Sequence, residues 1–504
     1  MALTGAFCYP YKMNFDFFAL SVVIYYGLLF LLAIFCLHRF FLVRLYYKTR
    51  RHDPALPLIK SHDWPQVTVQ LPLFNEKYVA ERLLRQTAAL DYPNGKLEIQ
   101  VLDDSTDETT ALIADIVAAL QKKGHRIVHL HRNDRRGFKA GALAAGLSCC
   151  RGEMVAVFDA DFLPSSDFLR RTVPYFKEPD IGMVQARWEF INRDYSWLTR
   201  VQAMLLDGHF VIEHAARNRS GRFFNFNGTA GIWRKTAIAD AGGWRADTLT
   251  EDLDLSYRAQ MRGWQFLYLK DLTVDSELPE DMNAFKTQQH RWAKGSAETL
   301  LRLAKPLVKS SLPLPIKIEA FFHMAGNFAY LLLLALALVM YPSLIGRFNL
   351  PWQHLLIIDV PLFLATSCAV SLFFLVSQWE NGHYCRRTLI TLPLALAVGV
   401  GLAINNGKAV FEALFNYHTP FIRTPKLNLL ESQKLSPAYR QPLYIVPVLE
   451  VFVGLYFCLI MAVAINLDKF ALLPFLALFA CGFFGNGILS LIHSKRRIWR
   501  WQKA

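Results

Sequence analysis

The stretch "MVAVFDADF" (Met154–Phe162) runs from an unbroken apolar segment straight into two aspartates, Asp159 and Asp161, at positions i and i+2. A short apolar run ending in a polar turn reads as a strand. Working outward, "VTVQLPLF" (Val67–Phe74), "LEIQVL" (Leu97–Leu102) and "RIVHLH" (Arg126–His131) also read as strands. Helical segments separate them, one reaching Lys122 and one covering "KAGALAAGL" (Lys139–Leu147). Strands alternating with helices predict a doubly wound, mostly parallel α/β sheet, in which ligands bind beyond the carboxyl ends of the strands. The acids stand at those ends: Asp103 and Asp104 in "VLDDSTD", Asp159 and Asp161 in "FDADF".

The chain as a whole is too apolar for an ordinary soluble protein. Of its 504 residues, 53% are hydrophobic and 19% charged, which points to membrane segments. The run from about Phe17 to Cys36 is too long for a cleavable signal core and long enough to span a bilayer. Arg39, Arg44, Lys48, Arg50 and Arg51 follow it, so the positive-inside rule places Leu37 onward in the cytoplasm. The net charge of +14 reads the same way, as basic membrane flanks and not as a nucleic-acid-binding surface. The eight Cys include no CxxC pair, and Cys36, Cys458 and Cys481 lie inside apolar runs. They read as small core residues of a reducing compartment, not as disulfides or a zinc site.

Further apolar runs lie near Ile318–Tyr341, Leu355–Val376, Thr388–Ile404, Leu443–Ile465 and Phe470–Ile492. The chain thus divides into residues 1–63, a transmembrane helix and basic linker; 64–301, the α/β domain; and 302–504, interfacial and transmembrane helices around a basic segment at about 418–441. The basic tail "SKRRIWRWQKA" favours a cytoplasmic C-terminus. If the α/β domain and the basic segment both face the cytoplasm, an even number of spans must separate them, yet three runs do. The third run, continued by "NNGKAVFEALFNY", is short, glycine-rich and amphipathic at its end, and is read as interfacial or re-entrant.

Two more segments carry chemistry. In "TLTEDLDLSYRAQMRG", Thr250 is placed to cap a helix, and Glu251 and Asp252 fall in its first turn, where the dipole favours anions. The same position would hold a carboxylate rigidly, as a general base requires. In "TQQHRWAKG" (Thr287–Gly295), Gln288, Arg291 and Trp292 lie at i, i+3 and i+4 on one helix face. An amide and a guanidinium suit diphosphate oxygens, and an indole offers a flat plate for a sugar ring. The competing reading is a membrane-interface anchor. For the "DAD" acids, a pair of turn-forming residues competes with ligands for a hard divalent cation.

With these four stations in this order, the chain resembles the processive, membrane-embedded family 2 glycosyltransferases, whose pattern is Asp, DxD, TED and QxxRW on a GT-A fold. "FNFNGTAGIWR" (Phe224–Arg234), "QQHRWAKG" and "FIRTPK" (Phe421–Lys426) are most similar to the mannan and glucomannan synthases, the xyloglucan-backbone glucan synthases and their bacterial relatives. The resemblance implies a GT-A domain inserted in a multi-span helical membrane domain. It implies that Asp103 or Asp104, with Asn75 and Glu76, holds the nucleoside, that Lys139 lies near the nucleotide, and that Asp159 and Asp161 serve Mg²⁺ or Mn²⁺, Asp159 also touching the nucleotide. Asp252 would be the general base. Gln288 and Arg291 would hold the diphosphate, and Asn227, Gly228, Thr229 and Trp292 would form the acceptor site. Phe421, Arg423, Thr424 and Lys426 would belong to a gating loop, although the family pattern has Val where this chain has Arg423.

The implied reaction is inverting transfer of a hexose from UDP-glucose or GDP-mannose to a growing β-glycan, coupled to export through the lipid bilayer. The implied location is a bacterial inner membrane with the catalytic domain in the cytoplasm. The segment after Ile492 is too short for a cyclic-dinucleotide-binding domain, so regulation of that kind is not expected. A non-processive enzyme acting on a lipid acceptor is the alternative. A transporter is disfavoured because intramembrane charges are scarce, with Glu319, Asp359 and Glu450 near segment ends.

Overall fold

The four strands read from the sequence lie in one seven-stranded sheet: β1 (Val67–Leu73), β2 (Leu97–Asp103), β3 (Ile127–His131), β4 (Met154–Val157), β5 (Ile181–Phe190), β6 (Gly231–Arg234) and β7 (Gln265–Ser276). The computed structural model describes residues 13–50, 54–60, 63–347, 355–384, 386–417 and 445–501. The strand order is β3-β2-β1-β4-β6-β5-β7. All neighbours are parallel except β6, which runs antiparallel to both β4 and β5. Because β6 enters from the edge where the others end, the segment before it joins the carboxyl ends of β1, β2, β4, β5 and β7.

Apolar and polar residues alternate along the start of β1 (Val67, Thr68, Val69, Gln70), yet neither side faces solvent. Thr68 and Gln70 are fully buried. The parallel register sets Thr68 against Glu98 and Gln70 against Gln100. The Thr68 hydroxyl donates to Glu98 at 2.7 Å and the Gln70 amide to Gln100 at 3.0 Å. The polar side chains thus pair across the two strands, although Gln70 Oε1 has no hydrogen-bond partner among the described residues. Apolar clusters cover both faces of the sheet, as a doubly wound architecture requires.

The first helix, Met13–Thr49, has 37 residues. At 1.5 Å per residue this is about 55 Å, well beyond the ~30 Å of a bilayer core. Its early turns expose Phe17, Leu20, Val23 and Phe30, whereas Leu42, Val43 and Tyr46 are buried in the core shared with the sheet. One helix is therefore apolar-faced at its start and docked on the domain at its end.

Among the described residues, five helical stretches are long and apolar enough to cross a membrane: Phe17–Thr49, Leu314–Gly346, Ile357–Glu380, Val446–Asn466 and Phe470–Ser494. This is a membrane protein. The run read as interfacial or re-entrant is a pair of helices, Arg386–Gly401 and Ala403–Leu414, bent by 41°. The break between the two helices falls at Leu402. The acids near the segment ends are all paired: Glu319 with His38 and Arg217, Asp359 with Arg347, and Glu450 with Lys286. The proposed gating residues Phe421, Arg423, Thr424 and Lys426 lie outside the described residues.

Candidate active site

One cleft opens at the carboxyl edge of the sheet. It is lined by Phe74 and Glu76 after β1, Asp104 after β2, Asp159 and Asp161 after β4, Trp188 in β5, Asn227 and Gly228 before β6, and Glu277 after β7. Two helices close it. Glu251–Met261 contributes Glu251 and Asp252, and Met282–Lys309 contributes Gln288, Arg291 and Trp292.

Glycines allow these pieces to meet. Gly228 has φ +80°, and a Cβ there would lie 3.0 Å from an Asp252 carboxylate oxygen and 3.3 Å from Lys139 Nζ. Only glycine tolerates both the backbone and the neighbours. A Cβ on Gly295 would come within 2.5 Å of Thr250 Cγ2 and 2.9 Å of the Thr250 backbone nitrogen. The bare glycine lets the helix carrying Arg291 pack directly on the start of the helix carrying Asp252.

The cleft wall carries seven carboxylates (Glu76, Asp104, Asp159, Asp161, Glu251, Asp252 and Glu277) against three cations (Arg135, Lys139 and Arg291). Lys139 Nζ bridges Asp159 and the Gly228 carbonyl. Burial would depress the Lys139 ammonium, but Asp159 and Glu251 more than offset this and raise it. Arg291 stands in the field of Glu251, Asp159, Asp252 and Asp161. Desolvation raises Glu251. Desolvation, then the charge of Glu251, pushes Asp252 up to about 7, against the pull of Lys139. The side-chain donors of Asp159 and Asp161 are all oxygen, and negative charge dominates around them. That set fits a hard divalent cation such as Mg²⁺ or Mn²⁺.

Residues 65–295 match the family Glycosyltransferase like family 2. This interval contains all four acid and QxxRW stations. This interval is similar to glycosyltransferase family 2. The chain is similar to Glucomannan 4-beta-mannosyltransferase 2 of Arabidopsis thaliana, 46% identical over 255 residues that make up 50% of this chain and 48% of that protein. It is similar to Glucomannan 4-beta-mannosyltransferase 1 of Oryza sativa subsp. japonica, 42% identical over 277 residues, 54% of this chain and 53% of that one. The chain spans about half the length of the curated relatives it matches. Its fold is similar to that of the mannosyltransferase PcManGT of Pyrobaculum calidifontis, solved with GDP-Man and Mn²⁺, at TM-score 0.52 and 19% identity, covering 81% of this chain and 100% of that one. The fold is thus GT-A-like. These two curated relatives are plant proteins, so they lend no support to the expected bacterial membrane.

Within the glycosyltransferase domain, three expected site residues stand beside the cleft and not in its wall. Asp103 is fully buried. One of its carboxylate oxygens receives His129 Nε2 at 2.9 Å and His131 Nδ1 at 3.1 Å, and the other accepts from the Ser105 N–H. Burial alone would raise this carboxyl, but His129 and Ser105 hold it well below its usual range. Asp103, His129 and His131 form the one His/Asp group among the described residues compact enough to hold a metal. Asn75 adopts φ +53° and pairs with the Ser105–Thr106 turn. The buried Thr229 hydroxyl accepts the Asp159 N–H at 2.9 Å, so it braces the "DAD" turn. Asp104 does line the cleft, but Arg132 grips it through two bonds of 2.7 and 2.6 Å.

Thr250 is the residue before the helix, yet its side chain makes no cap bond. Its hydroxyl faces Thr299 at 3.3 Å, because the Gly295 contact draws that face toward the longer helix. Sequence reasoning missed Trp188, whose ring lies 6.5 Å from that of Trp292 and 4.9 Å from that of Phe162. Its place at the end of a strand pointing into the cleft was the available signal. His209 and His214, which hold Asn227, left no local signal.

Proposed function

We propose that the chain is an inverting β-mannosyltransferase that extends a β-linked mannan or glucomannan from GDP-mannose. The names of the curated relatives support the sugar and the linkage class. The single observation that carries the chemistry is the convergence of Asp252, Arg291 and Trp292 with Asp159 and Asp161 in one cleft. UDP-glucose is the second donor to test, since a glucomannan contains both sugars.

In this reading Asp252 takes the proton of an acceptor hydroxyl. The hydroxyl oxygen bonds to the anomeric carbon as the bond from that carbon to the diphosphate breaks, and the opposite-side approach inverts the centre. Arg291 and Gln288 hold the diphosphate and offset the charge it gains. Trp292, with Trp188 beside it, stacks the acceptor sugar. Asp159 and Asp161 would hold Mg²⁺ or Mn²⁺, which supplies Lewis-acid stabilisation of the leaving group when bound. Asp103 and Asn75 act by bracing the nucleoside end of the cleft, where Glu76 and Asp104 face the ligand. Residues 64–301 carry the reaction on the cytoplasmic side, and residues 302–504 form the path by which the product leaves. The acceptor sugar is held at the membrane doorstep because the helix bearing Trp292 also docks on the apolar helices.

The test is direct. The purified protein is incubated with radiolabelled GDP-mannose or UDP-glucose and Mn²⁺ or Mg²⁺, and the product is sized and digested with linkage-specific hydrolases. A polymer degraded by β-mannanase is expected. A single labelled sugar on a lipid would replace this reading with the glycolipid one.

A further inference from the structure

Asn227 is the only cleft residue whose side chain is held from behind by two histidines among the described residues. Residues Gly208–His214 form a π-helix, a rare turn often found at functional sites. It brings His209 and His214 together, with ring centroids 4.2 Å apart. Asn227 Oδ1 lies 2.7 Å from His214 Nε2, and Asn227 Nδ2 lies 3.1 Å from His209 Nε2. His209 Nδ1 lies 3.1 Å from Glu213 Oε2. Glu213 in turn meets Arg39 of the first helix and Arg217, and Arg217 continues to Glu319 at 2.9 Å.

The chemistry of each group fixes the protons along this chain. Burial pushes the Glu213 carboxyl up, but Arg39 and Arg217 outweigh it and hold it well below its usual range. The carboxylate can only accept, so His209 donates from Nδ1, which in the neutral ring leaves Nε2 to accept. The Asn227 amide must then turn its NH₂ toward His209 and its carbonyl toward His214. His214, kept neutral by burial, then donates from Nε2 to that carbonyl, and its Nδ1 has no hydrogen-bond partner among the described residues. Turning the amide over would set its carbonyl lone pair against the lone pair of His209 Nε2. The second N–H and the second carbonyl lone pair of Asn227 are left for a ligand.

We infer that Asn227 selects the acceptor's terminal sugar by the orientation of one hydroxyl, and that His209, Glu213 and His214 are positioning residues that lock its amide in a single sense. The inference rests on the glycosyltransfer reading above. It makes acceptor choice depend on a chain of contacts that ends on the first membrane helix.

The experiment compares β-linked gluco- and manno-oligosaccharides, which differ at one hydroxyl, as acceptors, reading the ratio of their kcat/KM values. H209L should shift this ratio by about tenfold, the worth of one hydrogen bond, while the donor KM is unchanged. H209Q, which can accept from Asn227 and donate to Glu213, should keep the ratio near wild type. N227A should shift the ratio by itself, and adding H209L to N227A should change it no further. A ratio unmoved by H209L, an equal loss in H209Q, or a further shift in the double variant would overturn the inference while leaving glycosyl transfer intact. A wild-type protein that transfers no sugar from any nucleotide sugar would overturn both.

Discussion

Asp252 has the proton affinity a base needs near neutral pH. Desolvation, then the charge of Glu251, push it up to about 7, against the weaker pull of Lys139 and of the Leu253 N–H. Two results follow for this residue. The kcat/KM profile should fall about tenfold per pH unit below 7, as the base in the free enzyme takes up a proton. The sign for stability is the opposite of a salt-bridged carboxylate. The folded protein holds this proton more tightly than the unfolded chain, whose carboxyl titrates near 3.8, so Asp252 costs stability as pH rises from about 4 to about 7. Asp252→Asn removes that cost, and its melting temperature relative to wild type should be higher at pH 8 than at pH 4. A second residue-scale prediction concerns Asp161. Asp161→Ala should abolish turnover, as should a chelator on the wild type; full turnover of the variant in excess chelator would remove the cation from the chemistry.

The helix Met282–Lys309 joins cleft to membrane. Lys286, two residues before Gln288, is buried and bonds Glu450, Ser490 at 2.7 Å and the Asn486 carbonyl at 3.2 Å. Lys286→Met leaves the Glu450 charge buried and unpaired, which should cost about 3–5 kcal/mol; thermal unfolding in detergent reads it, and a joint Glu450→Met change should recover most of the loss. Gly295→Ala should push the helix off Thr250 and separate Arg291 from Asp252, lowering kcat by about 10²-fold for a shift near 1 Å, with a smaller loss of stability. An unchanged kcat would deny that this contact aligns the site. The face shared by Gln288, Arg291 and Trp292 was legible in the sequence, because helical spacing is local. The need for Gly295 was not, since it depends on an element 45 residues away. The placement of Asp103 was not legible for the same reason: the pairing of β2 with β3 sets it against His131, and no local spacing reveals which strands are neighbours. The reversed β6 was hidden likewise, because a four-residue strand gives no sign of its direction.

At the scale of the molecule, the apolar runs and the acidic strand ends were legible because both are long or repeated patterns. The 41° bend between Arg386–Gly401 and Ala403–Leu414 is compatible with one broken span or with a re-entrant pair, and the two differ in the parity of the spans. Topology is open to test: an engineered Cys near the C-terminal "KRRIWRWQKA" should resist impermeant reagents in intact cells and react once the cells are opened. Labelling in intact cells would place that end, and with it the parity of the spans, on the other side. The central claim, that this cleft transfers sugar with Asp252 as base, is tested most directly by measuring GDP-mannose binding and turnover together in Asp252→Asn. The account predicts near-normal donor affinity and a loss of kcat of about 10²–10⁴-fold. Near-normal kcat in this variant, or donor binding lost along with it, would contradict the assignment.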